Sequence, residues 1–143
     1  MTISPWSMSM NLESPDGRFR AAIEEANEVG MGAPTSGALT LSTGARLEAC
    51  NPSAVFSDDS EWVAVPQWTR ERGQRLLVVG LVSGRIGRAP ETYRVLELAS
   101  FEGGVVRGVD SPIYEPRAIE VPLAELVWED PPPTDGTAAG GDR

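Results

Sequence analysis

Histidine is absent from this chain, and cysteine occurs once, at Cys50. Those two gaps remove much of the side-chain chemistry on which small enzymes and metalloproteins rely. Without histidine there is no Ser-His-Asp triad, no Cys-His pair and no histidine-ligated zinc site. One thiol cannot build an intramolecular disulfide framework, and Cys50 lacks the base that would activate it, so a buried thiol is expected. Positive charge is also scarce: 12 basic against 21 acidic residues give a formal net charge of −9. Nucleic acid and anionic membrane surfaces both need positive potential, so neither is expected as a partner, whereas a basic protein suits the charge. No apolar run approaches the length of a membrane span. Residues 1–14 have neither the basic start nor the apolar stretch of a signal peptide, and a cytoplasmic location is expected.

What remains is an ordinary globular composition, 41% hydrophobic over 143 residues, enough for one domain with its own core. The domain is expected over residues 1–129. From residue 130 the chain reads DPPPTDGTAAGGDR, with nothing large and apolar to anchor it, and a disordered tail is expected.

The pattern of short apolar runs and turn residues predicts a mainly β chain with little or no helix. It reads as a small antiparallel domain, sandwich-like or a partial propeller. Its best-defined part is residues 51–85. Residues 54–56 form a brief apolar run, stopped by Ser57-Asp58-Asp59-Ser60, whose short polar side chains favour a tight turn. Trp62–Trp68 is apolar apart from Gln67, with Pro66 marking an edge or a bulge. TRERGQ (residues 69–74) then suits a hairpin loop, and residues 76–82 form the returning strand.

Elsewhere, alternating Trp6, Met8, Met10 and Leu12 suggest an edge strand. A turn follows at Ser14-Pro15-Asp16-Gly17, then a strand within residues 18–26 and a glycine-rich loop at 27–37. Strands are expected at 38–42 and 46–50, with Leu47 and Ala49 on the same side. Residues 86–91 read as a loop, and 92–101 as one continuous strand. A Gly103-Gly104 hairpin leads to 105–109, and residues 110–116 form a loop. One more strand is expected at 118–121, followed by a single helical turn at 122–126 that starts with Pro122.

Two stretches match one another. Residues 14–23 align with 57–66, and 39–44 with 79–84, at offsets of 43 and 40 residues. Each copy runs turn, strand, loop, strand, polar turn with glycine, and a period of this size is that of a propeller blade. In SDDSEWVAVPQ and LLVVGLVSG the chain resembles the β-propeller repeat family. Gly80 stands where an acidic residue is usual, and the Gly-His and Trp-Asp signatures are missing. The resemblance covers about half the chain and implies two blade-like units, at about 14–44 and 54–85. A closed propeller needs about four blades or more, so the resemblance implies a standalone domain or a ring completed by self-association. The chain also looks similar to small acidic bacterial toxin-neutralising (immunity) proteins, which act by occluding a surface.

No residue set specifies a chemistry, a cofactor or a metal, and more often than not such a chain is no enzyme. Asp58-Asp59 lacks the spacing of a calcium loop, and a structural turn explains it better. The candidate contact residues are Trp68, Arg70 and Arg72 at the hairpin, with Glu24, Glu25 and Glu28 beside the glycine-rich loop. Each has a plain alternative: core for Trp68, a solvated loop or face for the charges. The expected function is a protein-binding module, in its narrower form an immunity protein. The alternatives are an oligomeric propeller-like scaffold and a small-molecule-binding or cyclase-like β-barrel.

Overall fold

The computed structural model describes residues 2–129. Short β-rich runs broken by turn residues become thirteen strands among them. In order these are β1 (Met10–Glu13), β2 (Arg20–Ile23), β3 (Asn27–Glu28), β4 (Thr35–Leu41), β5 (Arg46–Cys50), β6 (Val55–Phe56) and β7 (Trp62–Trp68). There follow β8 (Gln74–Gly80), β9 (Ile86–Tyr93), β10 (Leu96–Glu102), β11 (Val105–Asp110) and β12 (Arg117–Pro122). A 3-10 turn (Leu123–Glu125) and β13 (Val127–Glu129) complete the order. The larger sheet runs β1-β2-β4-β5-β7-β8-β9-β13, with β3 on β4 and β6 on β7; the smaller runs β10-β11-β12. All pairings are antiparallel.

The β7–β8 hairpin is apolar on both faces because both faces are covered. Val63, Val65, Leu77 and Val79 enter one core, together with Ile23, Leu39 and Leu41 from strands of the same sheet. The N-terminal strands therefore fold back over β7–β8. The hairpin's Ala64, Leu76 and Val78 enter a second core, closed by Leu96, Leu98, Phe101 and Val106 of the smaller sheet. A near-continuous apolar run is the pattern expected of a strand buried on both faces. Each such leucine or valine contributes roughly 1.5–3 kcal/mol relative to an exposed one.

The bend has a local cause at Pro66. β5 meets β7 only at Cys50–Gln67, and β6 rejoins β7 at Val55–Ala64. Between them Pro66 has no N–H for a ladder, and its carbonyl accepts from Asn51 N instead (2.8 Å).

The outer edge of β10 is sealed by Gln74 at the start of β8 and by the loops on either side of β6. Leu96 N donates to Gln74 Oε1 (2.6 Å) and Leu98 N to Ser53 Oγ (3.0 Å). Phe101 O accepts from Asp58 N (2.9 Å). Gln74 and Ser53 are both fully buried, so these polar groups join the sheets without leaving those edge donors unpaired.

The blade reading is corrected by the topology. β2, β4, β7 and β8, which should have belonged to two separate units, lie in one sheet, and neither sheet closes into a propeller or a barrel. The matching segments do share a turn. Ser14 Oγ and Ser57 Oγ donate to Asp16 Oδ1 and Asp59 Oδ1 (2.9 and 2.6 Å), and accept from Phe19 N and Trp62 N (both 3.0 Å). The third bond is also repeated, from Arg18 N and Glu61 N to the same carboxylate oxygens (both 3.0 Å). The backbone N–H and side chain of Arg18 hold the Asp16 carboxyl well below the usual carboxylate range, and Ser57 and Glu61 lower Asp59. Repetition thus stops at a Ser-x-Asp turn, a local device that any fold can reuse. Asp16 N then donates to Ser60 Oγ (3.1 Å), which ties one turn to the other.

Local expectations also change: the loop expected at 27–37 contains β3 and the first residues of β4, and the edge strand expected from Trp6 onward begins at Met10. Residues 86–91 are strand rather than loop, since β9 is paired on both sides by β8 and β13. The expected strand 92–101 is broken at Arg94-Val95, where both backbone N–H groups turn to Asp110 Oδ1 (3.1 and 3.3 Å). In β5, Ala49 has φ 58 and is exposed, so it does not share a buried side with Leu47. The expected tail at 130–143 lies outside the described residues.

Cys50 is fully buried, and burial pushes its thiol from the ordinary 9.0 up to about 12. A group that stays protonated in the fold while the unfolded chain ionises takes stability away as pH rises. The loss begins near pH 9 and continues towards pH 12, at up to about 1.4 kcal/mol per pH unit. Cys50→Ala is expected to remove this early part of the alkaline loss in urea titrations at stepped pH. Tyr93, also raised to about 12, is expected to leave a second part that starts near its ordinary 10.0.

Candidate functional site

The turn at the far end of the β7–β8 hairpin builds one wall of a cleft. Thr69 N donates to Gly73 O (2.8 Å), and Thr69 Oγ1 accepts from Gly73 N (3.2 Å). Arg72 holds φ 69, in the left-handed region where a side chain costs about 1–2 kcal/mol. Gly73 is required by close approach, since a Cβ there would lie 2.7 Å from Thr92 Cγ2 and 3.0 Å from Tyr93 O.

The cleft has a volume of about 540 Å³ and is lined by Trp68, Arg72, Tyr93, Arg94 and Asp110, with Val29 and Pro34 from the glycine-rich loop. Trp68 is half-buried. Its indole Nε1 donates to Thr35 O (3.0 Å), so the ring is oriented by β4 while part of it stays open to the cleft. Asp110, only 7% exposed, is the hub of the opposite wall. Besides the two turn N–H groups it accepts from Ser111 Oγ (3.2 Å) and Arg117 Nη2 (3.3 Å). Tyr93 donates its hydroxyl to Glu91 Oε1 (3.2 Å), and burial, reinforced by Glu91, keeps it neutral up to about pH 12.

Arg94 and Val95 also line a smaller concavity of about 140 Å³, formed with Trp6, Pro112, Ile113 and Tyr114. The two depressions therefore share a border. Ile113 and Tyr114 are 75% and 63% exposed, and the Arg94 guanidinium lies 5.8 Å from the Tyr114 ring centroid. Among the described residues, no carboxylate forms an ion pair with Arg72 or Arg94. The arrangement offers apolar and aromatic surface flanked by the guanidinium groups of Arg72 and Arg94, with the Glu71 carboxylate in the same lining. It assembles no nucleophile with a base. Among the described residues no three His, Cys, Asp or Glu side chains converge as metal ligands would, and no helix is long and apolar enough to cross a membrane.

Of the residues singled out from sequence, Trp68 and Arg72 meet in the cleft. Glu28 is next to it, because its register partner Thr35 carries the carbonyl that Trp68 binds. Arg70 is exposed on the hairpin loop and is not part of the lining. Glu24 and Glu25 line a different concavity of about 280 Å³ with Thr40 and Arg46. Arg94, Asp110, Ile113 and Tyr114 were missed. The Asp-Ser-Pro turn before Ile113 was visible as a loop, but nothing local shows that Asp110 organises a turn some fifteen residues upstream. No family model, no curated protein and no solved structure matches this chain.

Proposed function

We propose that this chain is a protein-binding module whose contact surface is the cleft of Trp68, Arg72 and Arg94 with the adjoining Ile113–Tyr114 ledge. The observation that carries the reading is the exposure of Ile113 and Tyr114 beside a half-buried tryptophan. Tyrosine, tryptophan and arginine are the residues that most often anchor protein contacts, and here they line two adjoining depressions that share Arg94 and Val95. The net charge of −9 steers a partner that is basic overall, while Arg72 and Arg94 favour a seated segment with carboxylate or carbonyl acceptors. Toxin neutralisation by surface occlusion is the narrower form of the same reading.

Copurification of the tagged chain with the products of adjacent genes tests it. The double variant Ile113→Ser with Tyr114→Ser changes only exposed side chains and is expected to keep the thermal midpoint and lose most of the complex. Undiminished recovery of the same complex by the double variant defeats the assignment of the surface. A second reading, a small-molecule site, draws on the cleft volume of about 540 Å³, which falls within the roughly 300–1,000 Å³ usual for such pockets. A ligand that competes with the protein partner for the cleft would favour it.

A further inference from the structure

The smaller sheet has two outer edges, and only one of them is sealed. β10 is closed by Gln74, Ser53 and Asp58, as described above. β12, on the other side, has its full register with β11 and, among the described residues, no hydrogen-bond partner on its outer side.

The ladder fixes which groups of β12 point outward. Leu123 N donates to Gly104 O (2.9 Å), one step beyond the pair Val105–Pro122. In an antiparallel ladder the bonded pairs alternate, so Val121, Ile119 and Arg117 direct their backbone groups to β11. Ala118, Glu120 and Pro122 direct theirs outward. Pro122 has no N–H to present, which is the one way a proline is accommodated on a free edge. The open edge therefore carries two donors, Ala118 N and Glu120 N, and the carbonyls of residues 118, 120 and 122.

We propose that β12 pairs with β12 of a second copy of this chain, antiparallel and centred on Ile119. In that register Ala118 of each copy stands opposite Glu120 of the other, and four backbone hydrogen bonds form across the two-fold axis. Ile119 faces its own counterpart at the non-bonded position, where side chains are closest. It belongs to the second core and is 8% exposed, so the pairing extends an apolar face that already exists. Pro116 of each copy falls opposite Pro122 of the other, so both missing donors lie outside the bonded block. Glu120 is held by Arg107 (3.0 Å), which offsets repulsion between the two glutamates. Self-complementarity about one residue favours a second copy over a longer foreign strand, which the prolines would cut short at both ends. Two bonded residue pairs bury far less than the ~1,200 Å² of stable complexes, so the dimer is weak and forms towards millimolar chain concentration.

The test is sedimentation of the full chain from about 10 µM to about 1 mM, the range suited to so small an interface. The average mass is expected to rise towards that of a dimer. Ala118→Pro removes an outward donor and no bond to β11, and is expected to keep the chain monomeric with unchanged circular dichroism. Should that variant fail to fold, disulfide trapping decides. Chains carrying Ala118→Cys and Glu120→Cys are expected to cross-link when mixed, at least several-fold more than either alone. A monomer at every concentration, a dimer unaffected by Ala118→Pro, or equal cross-linking of mixed and single variants overturns the proposal.

Discussion

Leu77→Ala is expected to destabilise the chain by about 3–4 kcal/mol, within the roughly 2–5 kcal/mol seen when a buried leucine is truncated. Leu77 is fully buried in the first core, and the residues on either side of it, Leu76 and Val78, are fully buried in the second. Its strand is held by β7 on one edge and β9 on the other, so the backbone cannot move in to close the cavity. A shift of β8 towards the gap would pull Leu76 and Val78 away from the smaller sheet. Urea denaturation followed by tryptophan fluorescence measures the loss. Val82→Ala, at a 72% exposed position beyond the same strand, is the control and is expected to change stability by less than about 0.5 kcal/mol. Similar losses at both positions contradict the two-core arrangement.

The second large effect concerns Asn51, a fully buried side chain with its amide satisfied by backbone. Its Nδ2 donates to Pro5 O (2.8 Å) and Thr35 O (2.9 Å), and its Oδ1 accepts from Ser53 N (3.1 Å). One side chain thus joins the N-terminal segment, β4 and the turn before β6. Asn51→Leu leaves two carbonyls and an N–H without this partner, each costing about 1–3 kcal/mol if it stays dry. Thr35 O keeps its bond from Trp68 and Pro5 O its bond from Thr35 N (3.1 Å), so a total of about 3 kcal/mol is expected rather than the full sum. Losing one of the two bonds to Pro5 O is also expected to loosen the segment that carries Trp6, whose indole is then held chiefly by its bond to Gly32 O (3.0 Å). Quenching of tryptophan fluorescence by acrylamide should rise in Asn51→Leu before global unfolding.

The elements visible in the sequence were those whose causes are local. Trp62–Trp68 and its return strand follow from a continuous apolar run closed by a polar loop, and the first strand has the boundaries expected of it. The β10–β11 hairpin follows from Gly103-Gly104, both with positive φ (60 and 77) as a two-residue turn requires. The 3-10 turn after Pro122 was marked by that proline. The misreadings have distant causes. Gly87, Arg88 and Pro90 look like a loop, yet Trp128 arrives from 41 residues further on to pair with Gly87 and pack against Trp62, 5.1 Å between ring centroids. Arg94-Val95 has no glycine or proline, because its turn is held by Asp110.

The repeat misled for a related reason. Ser14-x-Asp16 and Ser57-x-Asp59 are alike because a turn rewards the same three side-chain bonds wherever it occurs, and this says nothing about which sheet the next strand joins. The site was half visible. Trp68 next to a charged loop pointed to the cleft, whereas the acidic cluster divided: Glu28 lies beside it and Glu24 and Glu25 elsewhere. The ledge could not be read, since Ile113 and Tyr114 are two apolar residues in a loop until Arg94 is brought beneath them.

A partner held at the cleft and its ledge would lie within reach of Tyr114 and away from Val82. Site-specific photo-cross-linking in living cells tests this placement most directly, with a benzophenone side chain in place of Tyr114 and, separately, in place of Val82 at the opposite end of β8. One discrete adduct with another protein is expected from position 114, none from position 82, and loss of the adduct when Arg72→Ala and Arg94→Ala are added. Cross-linking from position 82 alone, or an adduct at 114 indifferent to both arginines, contradicts it.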